Sequence, residues 1–128
     1  MKKYRRITQI AYAALVVATI WLISPVLAES GDPEVAKQAW PLIEAGALLI
    51  DVRTQEEFDE GHIDGATHLT SEDTDSIIAA IGSDPDRQVV LYCGSGKRAG
   101  KVKTVLEQAG YTQIFNATGY EALQSTHP

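Results

Sequence analysis

The chain carries one cysteine, in the stretch VVLYCGSGKRAGK at residues 89–101. Cys93 ends an apolar, β-branched run, is followed by Gly94 and Gly96, and has Lys97, Arg98, Lys101 and Lys103 within ten residues of it. A thiol attacks as its thiolate, so these neighbours matter through the charge they favour. A helix opening just after Cys93 would turn its unpaired amides and the positive end of its dipole toward the sulfur. Glycines let the backbone curl until several amides face inward as an anion cradle. The pattern reads as an anion receptor built from Gly94, Ser95, Gly96, Lys97 and Arg98, with the nucleophile Cys93 at its floor. A cysteine at a strand end can also be a small buried hydrophobe, and a Gly-Ser-Gly loop can be an ordinary turn. It is the convergence of thiol, glycines, helix start and arginine that points to chemistry.

The elements that must hold this loop can be read from periodicity and punctuation. GDPEVAKQAWPLIEAG starts a helix with Asp32 as cap and Pro33 in the first turn, and Gly46 ends it. Pro41 lacks the N–H that would bond the carbonyl of Lys37, so the helix is expected to bend or restart there. ALLIDV reads as a buried strand, and RTQEEFDEG as a short helix with Thr54 and Glu57 in a capping box. HIDGATHL turns into a short extended piece, and TSEDTDSIIAAIG is a capped helix burying Ile77, Ile78 and Ile81. QVVLY is a second apolar strand. The helix after Cys93 runs to about Gln108 with Ala99, Val102, Val105 and Leu106 inward, then TQIFN gives a third strand and GYEALQS a last helix.

Strands separated by helices cannot pair as hairpins, so the fold class is α/β, with a small, mainly parallel sheet and helices on both faces. Ligands of such sheets collect beyond the carboxyl ends of the strands. Asp51 and Cys93 stand at two such ends, and Asp51 with Arg53 is expected to brace the loop, Arg53 pairing with Glu57 or another carboxylate.

The first residues, MKKYRRITQIAYAALVVATIWLISPVLAES, read as an export signal: a cationic start, an apolar run from Ile10 to Ile23, and small residues Val26 and Ala28 before the expected cleavage. The rival reading is an uncleaved anchor. The expected organisation is a signal peptide at 1–28 and one domain at 29–128, in the periplasm of a bacterial envelope. Loss of Lys2, Lys3, Arg5 and Arg6 from the 11 cations leaves seven against 17 acids, a net charge of −10. So acidic a domain excludes nucleic acid as a partner, and membrane contact would need the uncleaved segment. Four of those seven cations crowd the cysteine, which favours a small anion there. One cysteine permits no internal disulfide, and without a histidine pair at ligand spacing neither a metal nor another cofactor is expected.

CGSGKR resembles the six-residue active-site loop of rhodanese-like sulfurtransferases: Cys, two residues, Gly, one residue, Arg, met by Cys93, Gly96 and Arg98. LLIDVRTQEEFDEGHIDGATHL is similar to the earlier signature of that family, an Asp-Val-Arg strand end, a Glu-Glu-Phe helix and a Gly-His-Ile-x-Gly-Ala turn. The resemblance spans about residues 33–124, and small exported rhodaneses of the phage shock protein E type look most alike. Cysteine phosphatases place five residues between Cys and Arg, a spacing that would put arginine where Ala99 stands. Two stretches differ from the family pattern: Asp64 stands where proline is usual before Gly65, and Asn116, Thr118 and Leu123 depart near the end.

The resemblance implies a rhodanese-like three-layer fold and a two-step transfer. Cys93 would take the outer sulfur of thiosulfate or a similar small anionic donor as a persulfide, then pass it to a thiol or cyanide acceptor. Lys97 and Arg98 would hold the donor's oxyanion end, and amides from Gly94 to Arg98 would stabilise the persulfide. The alternative implied is a rhodanese-like carrier or partner-binding module without turnover.

Overall fold

The computed structural model describes residues 30–128. The expected export segment, 1–28, lies outside the described residues. Helices α1 (Pro33–Lys37) and α2 (Ala39–Glu44) lead into β1 (Leu48–Asp51), α3 (Gln55–Glu60) and β2 (Thr67–His68). Then come α4 (Thr74–Ile81), β3 (Val89–Cys93), α5 (Lys97–Gln108), β4 (Ile114–Gly119) and α6 (Tyr120–Ser125). The four strands form one sheet in the order β2-β1-β3-β4, every neighbouring pair parallel.

β3 lies inside the sheet and is buried at all five positions, as its unbroken apolar run requires. Successive side chains of a strand point to opposite faces. Ile50, Val89, Leu91 and Cys93 pack with Ile77 and Ile81 of α4 and with Ala99, Val102 and Leu106 of α5. Leu49, Val90 and Tyr92 pack on the other face with Ala36, Ala39 and Trp40 of α1 and α2 and with Ala122 and Leu123 of α6. The result is three layers, with the sheet between two helical faces.

Asp32 caps α1, accepting from the amides of Glu34 and Val35, and Asp73 caps α4 by accepting from Ser76 N. The expected break in the first helix falls at Gln38 rather than at Pro41. Pro41 instead occupies the first turn of α2, where its missing N–H has no helical carbonyl to bond and costs nothing. Val105, expected inward, is 39% exposed. The inward face of α5 follows Ala99, Val102 and Leu106, and at 100° per residue Val105 rotates off it toward solvent. β4 begins at Ile114 and continues to Gly119, beyond the expected TQIFN, with a register irregularity against Leu91–Cys93 where Asn116 Oδ1 accepts from Thr118 N, and α6 follows at Tyr120.

Candidate active site

Cys93 is the last residue of β3, and Gly96 immediately precedes α5. The turn between them closes over the sulfur. Gly96 takes φ +101°, a left-handed conformation in which glycine meets no steric penalty, and its N–H donates to Cys93 Sγ at 3.0 Å. Sequence reasoning expected several amides in this role; among the described residues the hydrogen bond from the loop to Sγ is that of Gly96. Gly94 serves a different need, since a Cβ there would lie 3.1 Å from Arg98 Nη2. Its bare backbone lets the guanidinium fold over the loop. Ser95 is half-buried, and Lys97 is exposed at the first position of α5 with no ion pair among the described residues.

Arg98 does not pair with solvent alone. Nη1 donates to Glu57 Oε1 at 2.7 Å and Nη2 to Glu57 Oε2 at 2.9 Å, a bidentate fork that is strong because both groups are charged. Of the two partners expected for Arg53, Glu57 or another carboxylate, the structure selects the second, Asp51, and Glu57 belongs to Arg98. The reason is geometric. The capping box at the start of α3, with Glu57 N donating to Thr54 Oγ1 and Thr54 N to Glu57 Oε1, aims Glu57 at the cysteine loop. Hydrogen bonds from Arg98 hold the Glu57 carboxyl at about 2, well below its usual 4.5, against a smaller opposing effect of burial and with help from Thr54. Arg98 is shifted upward in turn, by its hydrogen bonds to Glu57 first, against partial burial, with further contributions from the charge of Glu57 and from the sulfur of Cys93.

Cys93 is buried, at 0% exposure. The receptor read from sequence is thus closed, with the sulfur under the Gly94–Gly96 turn and the Arg98–Glu57 pair across the loop. A groove of 240 Å³ reaches Arg98 from outside, lined also by Val52, Arg53, Thr54, Gln55, Thr70, Ser71 and Glu72. A separate cleft at Trp40, His62 and His127 includes none of the loop residues.

Arg53 takes its carboxylate from its own strand end. Its Nη2 meets Asp51 Oδ2 at 2.7 Å, with Asp51 at 0% and Arg53 at 5% exposure. Burial by itself would lower the Arg53 value, but the hydrogen bonds and charge of Asp51 outweigh it and the guanidinium is held more firmly protonated than usual. Its Cζ also lies 5.6 Å from the Tyr92 ring centre and 4.5 Å from that of Tyr120. Arg53 Nη2 further donates to Gly61 O at 2.7 Å, tying the end of α3 to β1. The brace therefore reaches the cysteine indirectly, through Tyr92 beside it and through the helix that carries Glu57. His68 bonds the Arg53 carbonyl at 2.8 Å, and Phe58 packs against the stacked ring of His62 and the tilted ring of His68, so both histidines support this corner.

Three contributors escaped sequence reasoning. Glu57 was offered only as one possible partner of Arg53 and not as the partner of Arg98, and Asn116 and Thr118 stood out only as departures from a pattern. Asn116 Nδ2 donates to Gly96 O at 2.9 Å, and its Oδ1 accepts from Thr118 N at 2.9 Å. The second of these is an Asx-type bond two residues ahead, a local signal that an Asn-Ala-Thr-Gly stretch does contain.

The site is thus a six-residue Cys-to-Arg loop at the end of an interior strand of a parallel α/β sheet. The family model described as a rhodanese-like domain matches residues 35–126, and the chain belongs to that family. It is a transferase of the rhodanese type, with sulfurtransferase activity as its general chemistry. The thiosulfate sulfurtransferase PspE of Escherichia coli strain K12 is 34% identical over 70 residues, covering 55% of this chain and 67% of that protein. The thiosulfate sulfurtransferase GlpE of Pseudomonas aeruginosa strain LESB58 is 31% identical over 97 residues, covering 75% of this chain and 84% of that protein. Among solved structures, a rhodanese with anions from E. coli superposes with a TM-score of 0.56 at 31% identity, covering 60% of this chain and 91% of that chain.

Proposed function

We propose that the domain moves sulfane sulfur from thiosulfate, or a donor of like charge, to a thiol or cyanide through a persulfide on Cys93. The observation that carries this reading is the Gly96 N–H aimed at Cys93 Sγ at 3.0 Å, beside the Arg98 guanidinium. A donor hydrogen bond and a cation next to one sulfur stabilise an anion there, first the thiolate and then the terminal sulfur of the persulfide.

In the first step the Cys93 thiolate attacks the outer sulfur of thiosulfate. An S–S bond forms to Cys93 as the donor's S–S bond breaks, and sulfite leaves with the electron pair. In the second, cyanide or a thiolate attacks the terminal sulfur, leaving as thiocyanate or a persulfide, and Cys93 regains its pair and its negative charge. The scheme is covalent and ping-pong. Arg98, with the exposed Lys97 beside it, grips the sulfonate end of the donor once the guanidinium is released from Glu57. Export is part of the proposal: the cationic and apolar opening of the chain supports a periplasmic domain whose sulfur donor is encountered outside the cytoplasm.

Mixing the protein with thiosulfate and weighing it tests this. A gain of one sulfur atom, absent in Cys93→Ser, is the expected result. The closed mouth over Cys93 favours a second reading, a carrier opened by a protein donor. In that case thiosulfate adds nothing and a protein persulfide loads Cys93.

A further inference from the structure

The turn that covers Cys93 is held from behind by a residue of β4. Gly96 has no side chain to restrict its backbone, so its orientation must be imposed from outside. Its carbonyl accepts from Gly100 N at 2.8 Å, the first bond of α5, and from Asn116 Nδ2 at 2.9 Å. Both lone pairs of that oxygen are used. The other oxygen-bearing end of the Asn116 amide takes the N–H of Thr118, the one non-glycine residue with positive φ, 69°, among those described. A β-branched residue adopts that conformation only where its surroundings over-determine it. Here they do: Asp32 N donates to Thr118 Oγ1 at 2.9 Å, and the Thr118 Cα and Cβ stand 3.1 and 3.2 Å from where a Cβ on Gly96 would be. Asn116 thus joins two left-handed turns face to face, and the first of them aims its N–H at Cys93 Sγ.

We propose that Asn116 is a positioning residue for sulfur transfer: by fixing Gly96 it keeps the amide directed at the sulfur and so sets how readily Cys93 becomes and remains anionic. The inference rests on the persulfide reading above. Asn116 touches neither donor nor acceptor, and its influence passes wholly through the Gly96 backbone. Aspartate at this position would still accept from Thr118 N yet would set a carboxylate oxygen against the Gly96 carbonyl in place of a donor.

The test compares full-length wild type, Asn116→Ala and Asn116→Asp. Sulfur loading from thiosulfate should slow on the order of tenfold in both, as expected when a donor aimed at developing charge is lost or misdirected. The pH profile of loading should move to higher pH, while KM for thiosulfate stays within about twofold because Arg98 and Lys97 are untouched. A merely structural role would lower thermal stability and leave the pH profile where it was, and that result overturns the proposal. Full activity in both variants overturns it as well. Should the wild type take no sulfur from thiosulfate, the thiosulfate reading fails on its own, and the pH dependence of Cys93 alkylation by iodoacetamide still decides the role of Asn116. Should the variants not fold, amide hydrogen exchange at Gly96 in the wild type replaces them. Protection there supports the fixed turn, and exchange at the rate of an open loop overturns it.

Discussion

Glu57 reaches across from α3 to hold the Arg98 guanidinium at 2.7 and 2.9 Å, although 41 residues separate them in the chain. The cation proposed to bind an anionic donor is thus already held by a carboxylate of the protein. Each side chain is about one-third exposed, so the pair is of the kind that solvent weakens and a competing anion can open.

Removing that competition should tighten donor binding. Glu57→Gln keeps a residue the capping box accepts, so α3 is preserved. KM for thiosulfate should fall roughly twofold to fivefold, in keeping with the modest worth of a half-exposed pair. A rise in KM would show that Glu57 instead presents Arg98 to the donor, and steady-state kinetics distinguishes the two.

Arg98→Ala should do the opposite. Loss of a charge-assisted grip raises KM for thiosulfate by about tenfold or more and slows formation of the loaded form seen by mass. Unchanged kinetics would mean that the donor is held elsewhere in the groove that ends at Arg98.

The same pair predicts a response to acid. Glu57 titrates near 2 in the folded chain against 4.5 in free form, so its contribution to stability is complete above pH 4.5 and is lost as the pH falls toward 2. The melting temperature of wild type should approach that of Glu57→Gln over this window. A constant gap between the two down to pH 2 would contradict the lowered value.

Deeper in the fold, Asp51 and Arg53 form a buried pair whose partners cannot be separated cheaply. Arg53→Leu strands the Asp51 carboxylate at 0% exposure and should cost about 3–5 kcal/mol in urea unfolding. The double replacement Asp51→Asn with Arg53→Leu should cost less than Arg53→Leu, because the stranded charge is gone.

The layered fold was legible because its signals are periodic or local. The apolar run Val89–Cys93 could only be an interior strand, and Asp32, Thr54 and Gly96 each mark a helix start within a few residues. The cysteine loop was legible for the same reason, since thiol, glycines and arginine lie side by side. What escaped were choices between partners far apart in sequence. Whether Glu57 serves Arg53 or Arg98 depends on the direction in which α3 leaves β1, and Arg53 is satisfied by Asp51 two residues away before Glu57 can compete. Burial of Cys93 was legible only as the rival to a reactive role, because glycines that open a loop to ligands also let it fold shut. Asn116 showed its local bond to Thr118 in the sequence, but not the bond to Gly96, which needs β3 and β4 side by side.

Gly119 lies wedged so closely that a Cβ on it would collide with the carbonyls of Ser30 and Gly94 at once. The first described residues of the domain therefore rest against the rear wall of the reactive turn. A purification handle or reporter appended after Pro128 would sit by Trp40 and His127, clear of the chemistry. Assays meant to rank sulfur acceptors for this enzyme should carry their labels at the carboxyl terminus.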